Sequence, residues 1–197
     1  MKRYAASGEE LSMQEYDEFL DEILVDEQAI NKRVAELGAQ ISQDYQGEDL
    51  LIVCLLRGGI TFTADLTRCI TVSHTLDCMS LSSYGVGRYT SSGNVRVNLD
   101  LHSNIEGLNV LLVEDIVDTG RTLAHVLEML KTRLPKSLKV CVLLDKKYRR
   151  EVPVPVDYVG FDVPDKYVFG YGIDIDEYYR HLRFIASADL TRYHKPT

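Results

Sequence analysis

Apolar residues fall into two alternating patterns along this chain: short unbroken runs, and longer stretches with helical spacing. Leu50 to Leu56 and Val110 to Val113 are unbroken runs, the second too short for a helix core, and with Leu138 to Leu144 they predict buried strands. Residues 14–45 read as helical: Ala29, Ile30, Val34, Leu37 and Ile41 recur on one face, with Asp26 as the N-cap. Ile60 to Ile70 predicts a second helix and Leu123 to Leu130 a third. His74 to Leu81 reads as a further strand, and Val95 to Leu99 alternates as its return partner. Between those two, residues 83–94 are polar and glycine-rich with nothing to bury, which predicts a mobile loop. Strands alternating with helices, most of them apolar throughout, predict an α/β fold with a mostly parallel sheet covered on both faces. After Asp145 the pattern changes to short segments rich in Pro, Tyr and charge. The chain therefore reads as one domain over 1–197. Its core covers about 26–145, and a small hood forms from 146–197 with part of the N-terminus.

Composition narrows the partners. A chain of 197 residues with 45% hydrophobic and 26% charged residues has room for a sizeable core. The net charge of −8 argues against nucleic acid, whose backbone demands a basic footprint. No apolar run is long enough to span a membrane, and the basic start Met1-Lys2-Arg3-Tyr4 leads into no apolar signal region. The four cysteines (Cys54, Cys69, Cys78 and Cys141) lack metal-site spacing, and two of them sit in apolar strands. Buried thiols in a reducing cytoplasm are the expectation.

Chemistry concentrates in residues 110–123. The run Val110 to Val113 meets two adjacent carboxylates, Glu114 and Asp115, and then the small turn Asp118-Thr119-Gly120-Arg121-Thr122 opens onto the third helix. In an α/β protein such a junction faces the crevice at the carboxyl ends of the strands, where ligands bind. A helix N-terminus there offers free N–H groups and a positive dipole end, suited to an anion. Asp118 or Thr119 could also simply cap the helix. Taken whole, the fourteen residues resemble the phosphoribosyl-pyrophosphate (PRPP) signature of the type I phosphoribosyltransferases. That resemblance implies that Glu114 and Asp115 hold the ribose hydroxyls or magnesium-linked water. It also implies that Thr119 to Thr122 wrap the 5′-phosphate, with Arg121 contributing its backbone, and that Asp118 acts as general acid/base.

The other motifs extend the resemblance over nearly the whole chain. Leu56-Arg57-Gly58-Gly59 ends a buried strand, and glycine there lets backbone amides approach an anion closely. In the family this is the pyrophosphate loop, built on a non-proline cis peptide that would fall at Leu56–Arg57. Ser83-Tyr84 matches the start of the family's flexible catalytic loop. Lys146, Lys166, Tyr167 and Val168 match its purine pocket, which stacks the base on an aromatic ring, contacts its exocyclic oxygen with a cation and reads its edge with backbone. Asp174 matches a magnesium ligand and Arg180 a pyrophosphate contact. Together these segments are similar to the hypoxanthine–guanine branch of the 6-oxopurine phosphoribosyltransferases. The implied substrates are PRPP and a 6-oxopurine base, and the implied cofactor is Mg2+, held by Glu114, Asp115 and Asp174. A homodimer or homotetramer is implied as the assembly. A xanthine-preferring transferase or a catalytically inactive PRPP-sensing regulator of the same fold are the alternatives.

Overall fold

The structure is a computed structural model that describes residues 15–84 and 94–195. In chain order the elements are β1 (Leu20–Val25), α1 (Glu27–Asp44), β2 (Leu50–Leu56), α2 (Gly59–Cys69), β3 (His74–Tyr84) and β4 (Asn94–Leu99). They continue with β5 (Asn109–Val117), α3 (Arg121–Lys131), β6 (Ser137–Asp145), β7 (Tyr158–Asp162), β8 (Val168–Phe169) and β9 (Ile185–Ala188). Six strands form the main sheet in the order β4-β3-β2-β5-β6-β7, parallel except for β4.

Covering both faces is what makes β2 and the middle stretches of β5 and β6 continuously apolar. On one face Ile52, Leu111, Val113, Cys141 and Leu143 pack against Ile30, Val34, Leu37 and Ile41 of α1 and against Phe62 and Leu66 of α2. On the other, Leu51, Val53, Val110, Leu112, Val140 and Val142 pack against Leu123, Val126, Leu127 and Leu130 of α3. Successive strand residues point to opposite faces, so both faces of the middle stretches of β2, β5 and β6 are covered.

Three expectations need correction. Residues 14–45 are not one helix, because β1 and a short 3-10 turn (Glu15–Glu18) precede α1. β1 exists through its antiparallel pairing with β9, which a local pattern cannot reveal. Asp26 does cap α1: its carboxylate accepts from Ala29 N at 2.8 Å, and the strand ends there. Second, β5 continues through both acids to Val117, since its pairing with β6 extends to Asp145. Third, the hood does not take all of 146–197. β7 lies within that range yet joins the main sheet as a parallel edge beside β6. Arg33 caps this edge from α1, donating to the carbonyls of Val159 (2.7 Å) and Gly160 (3.1 Å). The small second sheet, β1-β9-β8, lies with a cluster of Phe19, Phe169, Ile175, Tyr179 and Leu182.

Candidate active site

Apart from Ser83-Tyr84, which ends β3, the motifs of the core follow the carboxyl ends of β2, β5 and β6, which are neighbours in the sheet. At the end of β5 the chain opens a cavity of about 180 Å³, lined by residues 114–120 with Thr122 and Leu123. The residue at the N-cap of α3 is Gly120, rather than Asp118 or Thr119, and it has no side chain to cap with, while Thr119 Oγ1 accepts from Arg121 N at 3.4 Å. Gly120 has φ +84°, and a Cβ there would stand 2.5 Å from the Val152 carbonyl oxygen. The first-turn N–H groups of a helix have no partner within it, so this turn presents amides and a dipole end to the cavity. The Arg121 side chain turns aside to pair with Glu151 at 2.6 Å.

The two acids stand inside the strand rather than beyond it. Burial, followed by the charge of Asp115 beside it, holds the Glu114 carboxyl well above the usual range. A cation placed against the pair would relieve the repulsion. The pyrophosphate-loop motif meets them directly: a Cβ built on Gly58 would lie 1.8 Å from Asp115 Oδ2. Gly58 has ordinary helical angles (φ −59°, ψ −40°), so close approach is what requires glycine here. The same loop is held from the other side, because a Cβ on Gly172 would lie 2.4 Å from the Gly58 carbonyl oxygen. The Leu56–Arg57 peptide is cis.

Lys146 ends β6 beside the cavity. It is 7% exposed, its amide donates to the Val117 carbonyl at 2.9 Å, and its Nζ donates to the Lys166 carbonyl at 2.7 Å. Burial lowers its pKa, and the charge of Asp118 opposes that shift. Asp118 Oδ1 is buried without a hydrogen-bond donor among the described residues, although Arg149 Nε stands 3.1 Å away.

The phosphoribosyl transferase domain family matches this chain over residues 21–177. The chain belongs to that family. Hypoxanthine phosphoribosyltransferase of Escherichia coli is 50% identical to it over 171 residues, 86% of this chain and 96% of the relative. Hypoxanthine-guanine phosphoribosyltransferase of Dictyostelium discoideum is 45% identical over 178 residues, 88% and 98% of the two chains. The crystal structure of a hypoxanthine phosphoribosyltransferase from Staphylococcus aureus superposes with a TM-score of 0.85 at 41% identity, covering 89% of this chain and 95% of that one.

In this phosphoribosyltransferase the remaining predicted residues sort into three groups. Arg57 and Arg180 are brought together through Glu177. Its carboxylate accepts from Arg57 at 3.0 Å and from Arg180 at 2.9 Å. Asp174 does not line the cavity with the acidic pair. Its carboxylate accepts from Glu177 N (2.8 Å) and pairs with Arg180 (2.8 Å), because the turn that carries it belongs to the hood segment. No three His, Cys, Asp or Glu side chains gather around a common metal position among the described residues. Magnesium commonly takes one or two carboxylates and completes its shell with water and substrate phosphates, so Glu114 and Asp115 fit such a partial site.

The base-pocket residues are divided. Lys166 offers its carbonyl to Lys146, but its ammonium pairs with Asp21 (2.9 Å) and Glu22 (2.5 Å) of β1 and is unavailable to a base. Tyr167 is half-buried against the hood cluster, and Val168 pairs with Ser187 in the small sheet. Ser83 and Tyr84 end the β3 backbone, and the loop at 85–93 lies outside the described residues. Sequence reasoning passed over Glu177 and Arg149. The Asp174–Glu177–Arg180 spacing, three residues per step on one turn, was the available signal for the first. Arg149 sat inside a basic cluster, Lys146 to Arg150, that resembles any solvated face.

Of the four free cysteines, Cys54 and Cys141 are buried. Burial pushes the Cys54 thiol up to about 11, and the Cys141 thiol also rises, which suits packing rather than nucleophilic work. No helix among the described residues is long and apolar enough to cross a membrane.

Proposed function

We propose that this chain transfers the phosphoribosyl group of PRPP to hypoxanthine or guanine, giving the nucleoside 5′-monophosphate and pyrophosphate. One observation carries the reading: a carboxylate pair and a helix start share one cavity, with buried Lys146 at the end of the adjoining strand. Relatives at 45–50% identity carrying these names support the choice of base.

The ribose 5-phosphate end of PRPP lies in the cavity, its phosphate on the amides of Thr119 to Thr122 and its hydroxyls on Glu114 and Asp115. The purine sits over Lys146, which donates to the 6-oxo group, with Tyr167 and the Val168 backbone beside it. N9 of the base forms the new bond to C1′ as the bond to pyrophosphate breaks on the opposite face. The proton on N7 passes to Asp118. Arg57 and Arg180 receive the leaving pyrophosphate, exchanging Glu177 for it. Magnesium, held by Glu114 and Asp115, supplies charge neutralisation for the departing polyanion. The negative pair also favours the cationic character that develops at C1′.

The test is nucleotide and pyrophosphate formation from PRPP, magnesium and each of hypoxanthine, guanine and xanthine. Turnover of hypoxanthine or guanine is expected; release of pyrophosphate with neither would overturn the reading. A further expectation concerns Lys146→Ala. It removes a charge-assisted hydrogen bond worth about 1.5–3 kcal/mol, and should therefore raise the KM for the base by at least about tenfold. The KM for PRPP should change far less, and equal losses for both substrates would reassign Lys146 to the phosphates. The assembly is proposed to be a homo-oligomer, since Ile60, Leu76 and Leu99 are each about half exposed (55%, 55% and 47%). Light scattering that returns a monomer would reject that.

A further inference from the structure

Arg149 spans two strand ends that flank the one it follows. It closes the 3-10 turn Lys147–Arg149 directly after β6. From there its guanidinium reaches Asp118, beyond β5, with Nε 3.1 Å from Oδ1. NH1 reaches Asp165, beyond β7, donating to Oδ1 at 3.1 Å. The bridge therefore crosses the ends of β5, β6 and β7, and buried Lys146 ends the middle strand.

The two contacts differ in kind. Toward Asp165 the guanidinium makes an aligned hydrogen bond, whereas Asp118 Oδ1 gains the charge but no hydrogen bond among the described residues. The Asp118 carboxylate is thus held in place by charge while Oδ1 keeps no hydrogen-bond donor among the described residues. The neighbouring arginine behaves otherwise: Arg150, only 18% exposed, turns inward to pair with Asp145. Side chains as exposed as Arg149 (46%), Asp118 (42%) and Asp165 (58%) form ion pairs worth about 0–1 kcal/mol to the fold. Stability is a weak reason for such a bridge. A site in which Asp118 must take a proton from a purine supplies a better one.

We infer that Arg149, anchored by Asp165, is a positioning residue that aims the Asp118 carboxylate at the purine. The assignment rests on the transferase reading given above. Its signature lies in kcat and in coupling to Asp118, not in phosphate binding.

The experiment is a set of single and paired variants assayed with saturating PRPP and magnesium. Arg149→Gln should lower kcat about tenfold or more, the scale on which small misplacements of a catalytic group act. The KM for PRPP should stay within about twofold, since Arg149 touches no phosphate-loop residue except Asp118. Arg149→Lys keeps the charge but not the fork that spans Asp118 and Asp165, and should recover only part of the loss. Asp165→Asn should fall between wild type and Arg149→Gln. In an Asp118→Asn background, Arg149→Gln should cost less than about twofold, because nothing remains to aim. Losses that multiply in the double variant would overturn the assignment, as would an Arg149→Gln enzyme with wild-type kcat or an Arg149→Lys enzyme no better than Arg149→Gln. A wild-type protein that binds PRPP but forms no nucleotide would overturn the transferase reading and this assignment with it. An active wild type beside an indifferent Arg149→Gln would overturn the assignment alone.

Discussion

Asp118→Asn is expected to leave PRPP affinity within about threefold of wild type while slowing nucleotide formation by about 10²-fold, near 2.7 kcal/mol of barrier. The substitution keeps the size and shape of the side chain and removes its ability to hold a proton. Asp118 is well placed for that task, since its Oδ1 is buried in the wall of the cavity with no donor among the described residues. Lys146 and Arg149 supply positive charge on one side of it. Neither group needs Asp118 for the fold, because Lys146 is anchored through the Val117 and Lys166 carbonyls and Arg149 through Asp165. The loss should therefore appear in kcat. Single-turnover rates at saturating PRPP, set beside a PRPP binding titration, separate the two quantities. Turnover equal to wild type would remove Asp118 from the chemistry.

Much of this arrangement could be read from the chain, for reasons that differ by element. β2 throughout, and the central stretches 110–113 of β5 and 140–144 of β6, are apolar because α1 and α2 cover one face and α3 the other, so the pattern is a direct print of the layers. The junction from Glu114 to Thr122 was legible because cavity and helix start are built from consecutive residues. β1 was not, since its polar segment Asp21-Glu22 becomes a strand only by pairing with β9 and holding Lys166. The same contact turns the Lys166 ammonium toward β1, while its carbonyl accepts from Lys146. Arg149 and Glu177 acquire their roles from partners on other strand ends and loops. Apart from the three-residue step from Glu177 to Arg180, no spacing along the chain encodes such partners.

Gly58→Ala should raise the KM for PRPP by about 10²-fold, since a misplacement of about an ångström at a substrate-holding group costs that much. The sequence offered one reason for glycine here, the approach of backbone amides to an anion, and the structure adds a closer one. The new methyl would fall 1.8 Å from Asp115 Oδ2 and 2.5 Å from its Cγ, inside any permitted contact. The loop cannot simply back away, because the Gly58 carbonyl already rests against Gly172, where there is no room for a Cβ either. Asp115 must therefore rotate away from Glu114 and from the ribose position proposed for it. Overpacking of this kind also costs about 1–3 kcal/mol of stability, which thermal denaturation would register separately. Gly47→Ala is the control: Gly47 has φ +78° with nothing within 4 Å of a new Cβ. Its strain, about 1–2 kcal/mol, should lower stability by a similar amount and leave both KM values unchanged. If Gly58→Ala loses stability as the control does but binds PRPP like wild type, then Asp115 is not held against this loop to grip the ribose. The carboxylate pair would then lose its place at the centre of the site.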